Sequence, residues 1–180
     1  MNRRSFISSG IAVGAFAALS RLPKASAAFI PAGAGRTQTT SSSSKGDSKR
    51  IKKMTKTDAE WKRILTPEQY DVTRQKGTER PYSSPLTDNH EAGVFKCVGC
   101  ELPLFSSKAK FDSGTGWPSF WEPIAKQNVR EEIDDSLSEV RTEVLCARCD
   151  AHLGHVFNDG PRPTGLRYCM NGVALKFMKG

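Results

Sequence analysis

The sequence predicts a mainly β domain that opens with two short helices and contains a four-cysteine metal site. Two helix-start signals lie close together between residues 57 and 69. From Val94 onward, short apolar runs alternate with turns rich in glycine, proline and asparagine, which is typical of antiparallel strands. Two Cys-x-x-Cys pairs, Cys97/Cys100 and Cys146/Cys149, are separated by 45 residues and are spaced as metal ligands.

The first 27 residues are interpreted as an export signal of the twin-arginine type. Asn2–Ile7 (N-R-R-S-F-I) resembles the twin-arginine box, a mildly apolar run follows at Ile11–Leu19, and Ala25–Ala27 is a small-residue cleavage pattern. A spanning helix needs about 20 apolar residues, so this run predicts no stable membrane span. We therefore expect a periplasmic protein. The alternatives are a disordered basic tail or an uncleaved anchor at the membrane interface.

Residues 28–55 are predicted to form a flexible linker, and residues 56–180 the folded domain. The linker is rich in small and polar residues, with a low-complexity run at Thr39–Ser44. Residues 1–56 hold eleven of the 27 Lys and Arg residues but only one of the 19 Asp and Glu residues. The domain itself is therefore close to neutral, which argues against nucleic acid as a partner.

Two capping patterns predict the helices. Thr57–Glu60 (T-D-A-E) fits a capping box, and Thr66–Gln69 (T-P-E-Q) starts a second helix with proline at its first position. We expect that second helix to end at Gly77. The residues predicted to face the core are Trp61, Ile64, Leu65, Tyr70 and Val72.

The strands are predicted from short runs of apolar and β-branched residues. These runs are Gly93–Cys97, Leu104–Phe105, Leu137–Leu145, Leu153–Phe157 and Tyr168–Phe177. Residues 158–161 (N-D-G-P) predict a turn. The predicted core residues of the strands are Val140, Val144, Leu153, Val156, Val173, Leu175 and Phe177.

The four paired cysteines favour a structural Zn²⁺ ion. Each Cys-x-x-Cys pair can present two thiolates from one side of a tight turn, and two such turns complete a tetrahedron with no open position. Two disulfides are the alternative in an exported protein, and iron bound by four thiolates is a second one.

Cys169 is the cysteine that remains once four bind a metal. Arg167 and Asn171 lie two residues before and after it, on the same face of a strand, where a cation and an amide donor favour the thiolate. His152 and His155 lie nearby in sequence and are candidates for acid–base chemistry. The alternatives are a buried apolar cysteine, and histidines with a structural or metal-binding role.

Three motifs together resemble the methionine sulfoxide reductase B family. They are Ser113–Phe120 (S-G-T-G-W-P-S-F), His152–Asp159 (H-L-G-H-V-F-N-D) and Arg167–Asn171 (R-Y-C-M-N), with both cysteine pairs in the family's order. The resemblance runs from about Trp61 to Phe177. It implies two antiparallel sheets with short N-terminal helices. It also implies reduction of the R epimer of methionine sulfoxide in peptides and proteins, as a repair of oxidative damage.

The resemblance also assigns roles at the reacting centre. Cys169 matches the nucleophile that attacks the sulfoxide sulfur and becomes a sulfenic acid. His152 and His155 match the pair that orders and protonates the sulfoxide oxygen.

The remaining matches are supporting residues. Asn171 and Asp159 match members of the hydrogen-bond network around the histidines, and Arg167 matches a residue that helps to activate the cysteine. Trp117 matches the indole that receives the substrate methyl group.

One departure from the family concerns Thr115, which occupies the position of the second, resolving cysteine found in many members. The resemblance therefore implies a one-cysteine cycle in which an external thiol regenerates Cys169. Glutathione, a glutaredoxin or a thioredoxin-like protein is the expected reductant, and we expect a monomer. The rival hypotheses are a zinc-ribbon binding module and a thiol oxidoreductase that uses a Cys-x-x-Cys pair.

Overall fold

The computed structural model describes residues 51–180, so the predicted export signal and most of the predicted linker lie outside the described residues. The last part of that linker, residues 51–55, contacts the domain. Ile51 and Met54 pack against the hydrophobic core. The amide of Met54 donates a hydrogen bond to the carbonyl of Arg148 at 2.7 Å. The packed part of the chain therefore starts a few residues earlier than the sequence suggests.

Two helices open the domain, α1 (Asp58–Ile64) and α2 (Pro67–Gln75). α1 begins with the predicted capping box, and α2 begins at Pro67 as predicted and also has a capping box, between Thr66 and Gln69. Trp61, Leu65 and Val72 are buried as predicted. The prediction for Ile64 is wrong, because its side chain is 53% exposed at the end of a helix of only two turns. Lys76, rather than Gly77, takes the left-handed conformation that ends α2, with φ of 61°.

Nine strands follow the helices and form two antiparallel sheets, which confirms the predicted fold class. A three-stranded sheet has the order β2-β1-β9, and a six-stranded sheet has the order β3-β4-β8-β7-β6-β5. The strands are β1 (Gly93–Cys97), β2 (Pro103–Ser106), β3 (Lys110–Phe111), β4 (Ser119–Phe120), β5 (Val129–Asp134), β6 (Arg141–Cys146), β7 (His152–Phe157), β8 (Arg167–Met170) and β9 (Leu175–Lys179).

The predicted strand at Leu137–Leu145 starts later than the alternating pattern indicates. β6 begins at Arg141, and Val140, predicted to be in the core, is 68% exposed in the preceding turn. Its partner β5 was not predicted, because only Val129 of its residues is buried. β5 is an edge strand of the six-stranded sheet, and its charged side chains leave no apolar alternation to detect.

The predicted strand at Tyr168–Phe177 is two strands in different sheets. β8 belongs to the six-stranded sheet and β9 to the three-stranded sheet, and a 3-10 turn at Gly172–Ala174 joins them. The chain thus passes from one sheet to the other directly after Cys169. Val144, Leu153 and Leu175 are buried as predicted, whereas the other predicted strand residues are partly buried: Val156, Val173 and Phe177.

Aromatic side chains join the two sheets. Phe105 of the small sheet stacks on Phe120 of the large sheet with ring centroids 4.5 Å apart. Phe95 meets the edge of the same Phe120 ring at 5.0 Å. Such pairs stabilise a core beyond the area that they bury. Within residues 51–180, neither helix has the length or the apolar character needed to cross a membrane.

Candidate active site and metal centre

Cys169 lies in the centre of the six-stranded sheet, at the floor of a cleft. In the ladder it faces His155 of β7 on one side and Ser119 of β4 on the other. The cleft has a volume of about 130 Å³ and is lined by Thr78, Trp117, Arg141, Gly154, His155, Phe157, Cys169 and Asn171. Four of the predicted site residues therefore meet in one cleft: Cys169, His155, Asn171 and Trp117.

An irregularity in β7 brings the two histidines together. Residues three apart on a regular strand point to opposite faces. The register between β6 and β7 shifts here, so that Val144 faces Gly154 while Leu145 faces His152. The rings of His152 and His155 consequently lie 5.4 Å apart, centroid to centroid. His155 lines the cleft, whereas His152 is buried behind it.

Gly154, between the histidines, is required by the close approach of β8. A β-carbon on Gly154 would collide with the carbonyl oxygen of Cys169. The glycine of H-L-G-H thus allows the strand that carries Cys169 to lie directly beside the histidines. Sequence analysis missed this role, although the motif itself contained the signal.

Each histidine has a carboxylate partner that sequence analysis missed. Nε2 of His155 lies 2.7 Å from Oδ2 of Asp134, and Nδ1 of His152 lies 2.7 Å from Oε1 of Glu143. Asp134 also pairs with Arg141, which lines the cleft. Hydrogen bonds from Ser136, His155 and Arg141 hold the pKa of Asp134 well below its usual range.

His152 and Glu143 form a buried hydrogen-bonded pair, and Glu143 also forms an ion pair with the exposed Lys76. Burial lowers the pKa of His152, and the neighbouring Glu143 carboxylate acts in the opposite direction. Burial raises the pKa of Glu143, but hydrogen bonds from Lys76 and His152 outweigh it and leave this pKa below its ordinary value. Glu143 is therefore ionised at neutral pH inside the protein.

Asp159 supports Arg167 rather than the histidines. The two side chains form a bidentate pair, with both N–O distances 2.9 Å. The guanidinium of Arg167 also stacks over the ring of Phe157, 4.4 Å from its centroid. This arrangement fixes a cation near Cys169, where its charge lowers the pKa of the thiol.

Burial nevertheless decides the ionisation of Cys169. The pKa of its thiol is raised because burial outweighs the opposing effects of Thr115, Arg167 and Ser119. The sequence predicted that flanking polar groups would favour the thiolate. Arg167 does act in that direction, but the free protein holds Cys169 as a neutral thiol at neutral pH.

Glu79, which sequence analysis also missed, forms hydrogen bonds with residues of the cleft wall and of the turn that follows Cys169. Its backbone carbonyl accepts a hydrogen bond from Nε1 of Trp117 at 3.2 Å, and its amide donates to Oδ1 of Asn171 at 3.1 Å. Its buried carboxylate accepts the amides of Gly172 and Val173. One residue thus orients the indole, the amide and the turn that follows Cys169.

The hydroxyl of Thr115 lies beside the sulfur of Cys169. Its Oγ1 lies 3.9 Å from Sγ of Cys169 and 2.8 Å from Oγ of Ser113. Ser113 in turn bonds to Ser119 at 2.7 Å. The position occupied by a resolving cysteine in many family members is therefore beside Cys169 here, but it carries no thiol.

The four paired cysteines form one buried cluster, and none of them is in a disulfide. Cys97 and Cys100 come from the turn between β1 and β2, and Cys146 and Cys149 from the turn between β6 and β7. The sulfur–sulfur distances are 3.6 Å for Cys97–Cys149 and 3.5 Å for Cys100–Cys146.

These distances fit the four-cysteine cluster to a metal ion. All four sulfur atoms lie within 4.8 Å of one another. A tetrahedron with metal–sulfur bonds of about 2.3 Å places its sulfurs roughly 3.8 Å apart. The two turns share one geometry, because Glu101 and Asp150 take left-handed conformations and donate their amides to the carbonyls of Cys97 and Cys146.

The family of the chain follows from comparison with known proteins. Residues 65–179 match the SelR domain family. The chain is 60% identical over 125 residues to a protein of Hahella chejuensis named peptide methionine sulfoxide reductase MsrB, covering 69% of this chain and 90% of that protein.

The chain belongs to the methionine sulfoxide reductase B family. A relative with the same name from Herminiimonas arsenicoxydans is 58% identical over 69% of this chain and 91% of its own length. An archaeal relative, the MsrB of Methanosarcina mazei, is 56% identical over 71% of this chain and 91% of its own length. The match covers the described domain, and membership of this family of enzymes confirms the resemblance seen in the three motifs.

The raised pKa of Cys169 predicts a pH dependence of its reactivity. Because only the thiolate attacks iodoacetamide, alkylation of Cys169 in the free enzyme should be slow at pH 7 and rise with pH. The midpoint should lie above about 8.5, the ordinary value for a cysteine. Stopped alkylation followed by mass spectrometry measures this, with C169S as the background. A midpoint below 7 would contradict the dominance of burial.

Proposed function

We propose that this enzyme reduces the R epimer of methionine sulfoxide in proteins and peptides through a sulfenic acid on Cys169. Its family supports methionine sulfoxide reduction in protein repair as the activity. The observation that carries the finer assignment is the pairing of Cys169 with His155 across two strands, in a cleft with Trp117 in its wall.

Cys169 is the proposed nucleophile. Its sulfur attacks the substrate sulfur to form a transient sulfur–sulfur bond. This bond and the sulfur–oxygen bond of the substrate both break as the oxygen passes to Cys169, which leaves a Cys169 sulfenic acid and a free thioether. The cysteine sulfur is oxidised by two electrons to a sulfenic acid, and the sulfoxide is reduced by two electrons to a thioether. Because the thiol is neutral in the free enzyme, its proton must leave the sulfur and a proton must reach the sulfoxide oxygen.

His155 is the proposed proton carrier for this oxygen. It lines the cleft directly opposite Cys169, and Asp134 holds its ring through Nε2. A developing negative charge on the oxygen needs a positioned acid, and histidine is the side chain that most often fills this role. Asn171 adds a polar side chain to the same cleft, while its Oδ1 is fixed by the amide of Glu79.

Trp117 and Arg167 are assigned supporting roles. The indole nitrogen of Trp117 is engaged by Glu79, which leaves the apolar ring as the wall suited to the methyl group of the substrate. The guanidinium of Arg167, held by Asp159, stabilises the thiolate as it forms. The sulfoxide oxygen and the methyl group would thus meet different walls, which is the basis for choosing one epimer.

We further propose a one-cysteine cycle. Thr115 supplies only a hydroxyl beside Cys169, and the four other cysteines are gathered in the metal cluster. Two external thiols, from glutathione, a glutaredoxin or a thioredoxin-like protein, would reduce the sulfenic acid. The products are the Cys169 thiol, one disulfide and water.

Zn²⁺ is the proposed occupant of the four-cysteine cluster. Four buried thiolates with near-tetrahedral spacing suit zinc and leave no position for substrate, so the ion would be structural. Bound there, it would cross-link the two turns. The cysteines that hold it are Cys97, Cys100, Cys146 and Cys149.

Residues 1–27 are proposed to direct the protein to the periplasm by the twin-arginine route, which carries folded proteins and would allow the metal to bind first. The twin arginines and the small-residue pattern support this. A fusion of residues 1–35 to a reporter should be exported, and replacement of Arg3 and Arg4 by Lys should retain it in the cytoplasm. A reporter that stays cytoplasmic with the natural arginines refutes the route.

The reaction and its cycle can be tested together. Wild-type protein with dithiothreitol should consume methionine R-sulfoxide in a peptide and leave the S epimer, and C169S should lose turnover completely because the oxygen acceptor is gone. After one turnover without reductant, mass spectrometry should find a sulfenic acid and no intramolecular disulfide. T115C is the matched control, since it should form a disulfide with Cys169. A disulfide in the wild-type enzyme would defeat the one-cysteine cycle.

The metal proposal predicts one zinc ion per chain. C97S should lose the ion and unfold, because the binding free energy of structural zinc, about 10–16 kcal/mol, is as large as the whole stability of a typical domain, about 5–15 kcal/mol. Elemental analysis and circular dichroism measure the two effects, and C169S, which should keep the ion, is the control. A metal-free chain with its native fold rules the proposal out.

A further inference from the structure

A chain of polar contacts leads from the protein surface to the histidines of the cleft. Oε2 of Glu143 lies 2.7 Å from Nζ of Lys76, and Oε1 lies 2.7 Å from Nδ1 of His152. The Glu143 side chain is only 2% exposed, whereas that of Lys76 is 64% exposed. His152 then contacts His155, the histidine that faces Cys169.

We infer that Glu143 is a positioning residue for the reduction. Ionised and paired with Lys76, it holds His152 with its proton on Nδ1, so that the ring beside His155 has an unprotonated Nε2. This inference rests on the proposed function, because it assigns His155 to the sulfoxide oxygen. It adds a residue pair, Glu143 and Lys76, that the sequence motifs did not include.

The hydrogen-bonding capacity of the groups fixes the tautomer. An ionised carboxylate only accepts hydrogen bonds, so Nδ1 of His152 must be the donor. Nε2 of the same ring has no hydrogen-bond partner among residues 51–180 and is buried. The surrounding protein therefore imposes no tautomer through Nε2, and Glu143 is the group that selects it. A neutral His152 then presents a basic nitrogen at Nε2.

The ring of His152 also has a defined charge environment. Glu143 approaches it from β6, His155 from its own strand, and Lys76 from the end of α2. Asp58 of α1, Arg74 of α2 and Asp150 line the cavity that His152 borders on its other side. Among these groups, only Glu143 is within hydrogen-bond distance of the ring, so its charge dominates.

Stability alone is a poor account of this arrangement. An ionised carboxylate loses its hydration when it is buried, and a buried ion pair can often be replaced by apolar side chains without loss of stability. Hydrogen bonds from Lys76 and His152 keep Glu143 ionised, but an ion pair whose lysine is exposed adds little net stability to the fold. The pair instead provides what an apolar side chain cannot, namely a fixed proton position on a histidine next to the reacting centre.

E143Q is the main test, because glutamine keeps the shape and an acceptor oxygen but lacks the charge. In the full-length protein, kcat for peptide methionine sulfoxide should fall about tenfold, less than the 10²–10⁴-fold that a proton-transferring group itself contributes. KM should stay within a factor of two. Loss of the carboxylate should also lower the pH at which the His152 ring takes up a proton, measured by ¹⁵N NMR. E143D, which restores the negative charge, should recover part of the lost kcat and part of the change in the pH at which His152 is protonated.

K76M tests the surface end of the chain of contacts. Removal of the cation should reduce kcat by about two- to fivefold, the range that an exposed ion pair allows. K179M is the matched control: Lys179 of β9 is as exposed as Lys76, but its partner Glu91 is itself exposed and lies outside the candidate site, so this variant should change nothing. K76M leaves the buried residues intact, so its kcat can be compared with that of K179M even where E143Q does not fold.

The possible outcomes separate the inference from the proposed function. If wild-type protein reduces the substrate and E143Q matches it in kcat and pH profile, the inference is overturned. A wild-type His152 with its proton on Nε2 in the NMR spectrum overturns it equally. If E143Q does not fold, a K76M enzyme with the kcat of K179M overturns it. If wild-type protein has no reductase activity, the proposed function fails, whereas the tautomer measured in the wild type still tests the role of Glu143.

Discussion

The meeting of two cysteine turns is the constraint on which the rest of the domain depends. One turn belongs to the three-stranded sheet and the other to the six-stranded sheet, and their four sulfurs lie within 4.8 Å of one another. The aromatic stack of Phe105 on Phe120 joins the same two sheets through apolar contact. Together they fix the relative position of β7, which follows the second cysteine turn, and of β8, which carries Cys169.

Burial and ionisation oppose each other throughout the candidate active site. Burial keeps Cys169 neutral despite Arg167, and it also disfavours the charged form of His152. The acidic groups that remain ionised, Asp134 and Glu143, do so because each accepts hydrogen bonds from cationic or polar partners. The protein thus holds two ionised carboxylates against the histidines and keeps the sulfur of Cys169 uncharged in the cleft.

A large part of the chemistry could be predicted from residue type and spacing. The repeated Cys-x-x-Cys pairs have the spacing of metal ligands, and the two capping boxes form as their sequences require. The three motifs that resemble the methionine sulfoxide reductase B family lead to the same family as the comparisons, because they contain side chains that meet in one cleft. Local signals of this kind predict the folded structure correctly because they depend on residues close together in the chain.

The sequence by itself determined the mainly β class, the helix starts, the cysteines suited to a metal and the family. Only the tertiary structure decided what lies next to what across strands. The bulge at His152 and His155, the clash that demands Gly154, and the partners Asp134, Glu143 and Glu79 depend on strand register and on contacts between residues as far as 94 positions apart. No pattern along the chain encodes them. The same holds for the balance at Cys169, because neighbours in sequence show which charges are present but not how deeply the sulfur is buried.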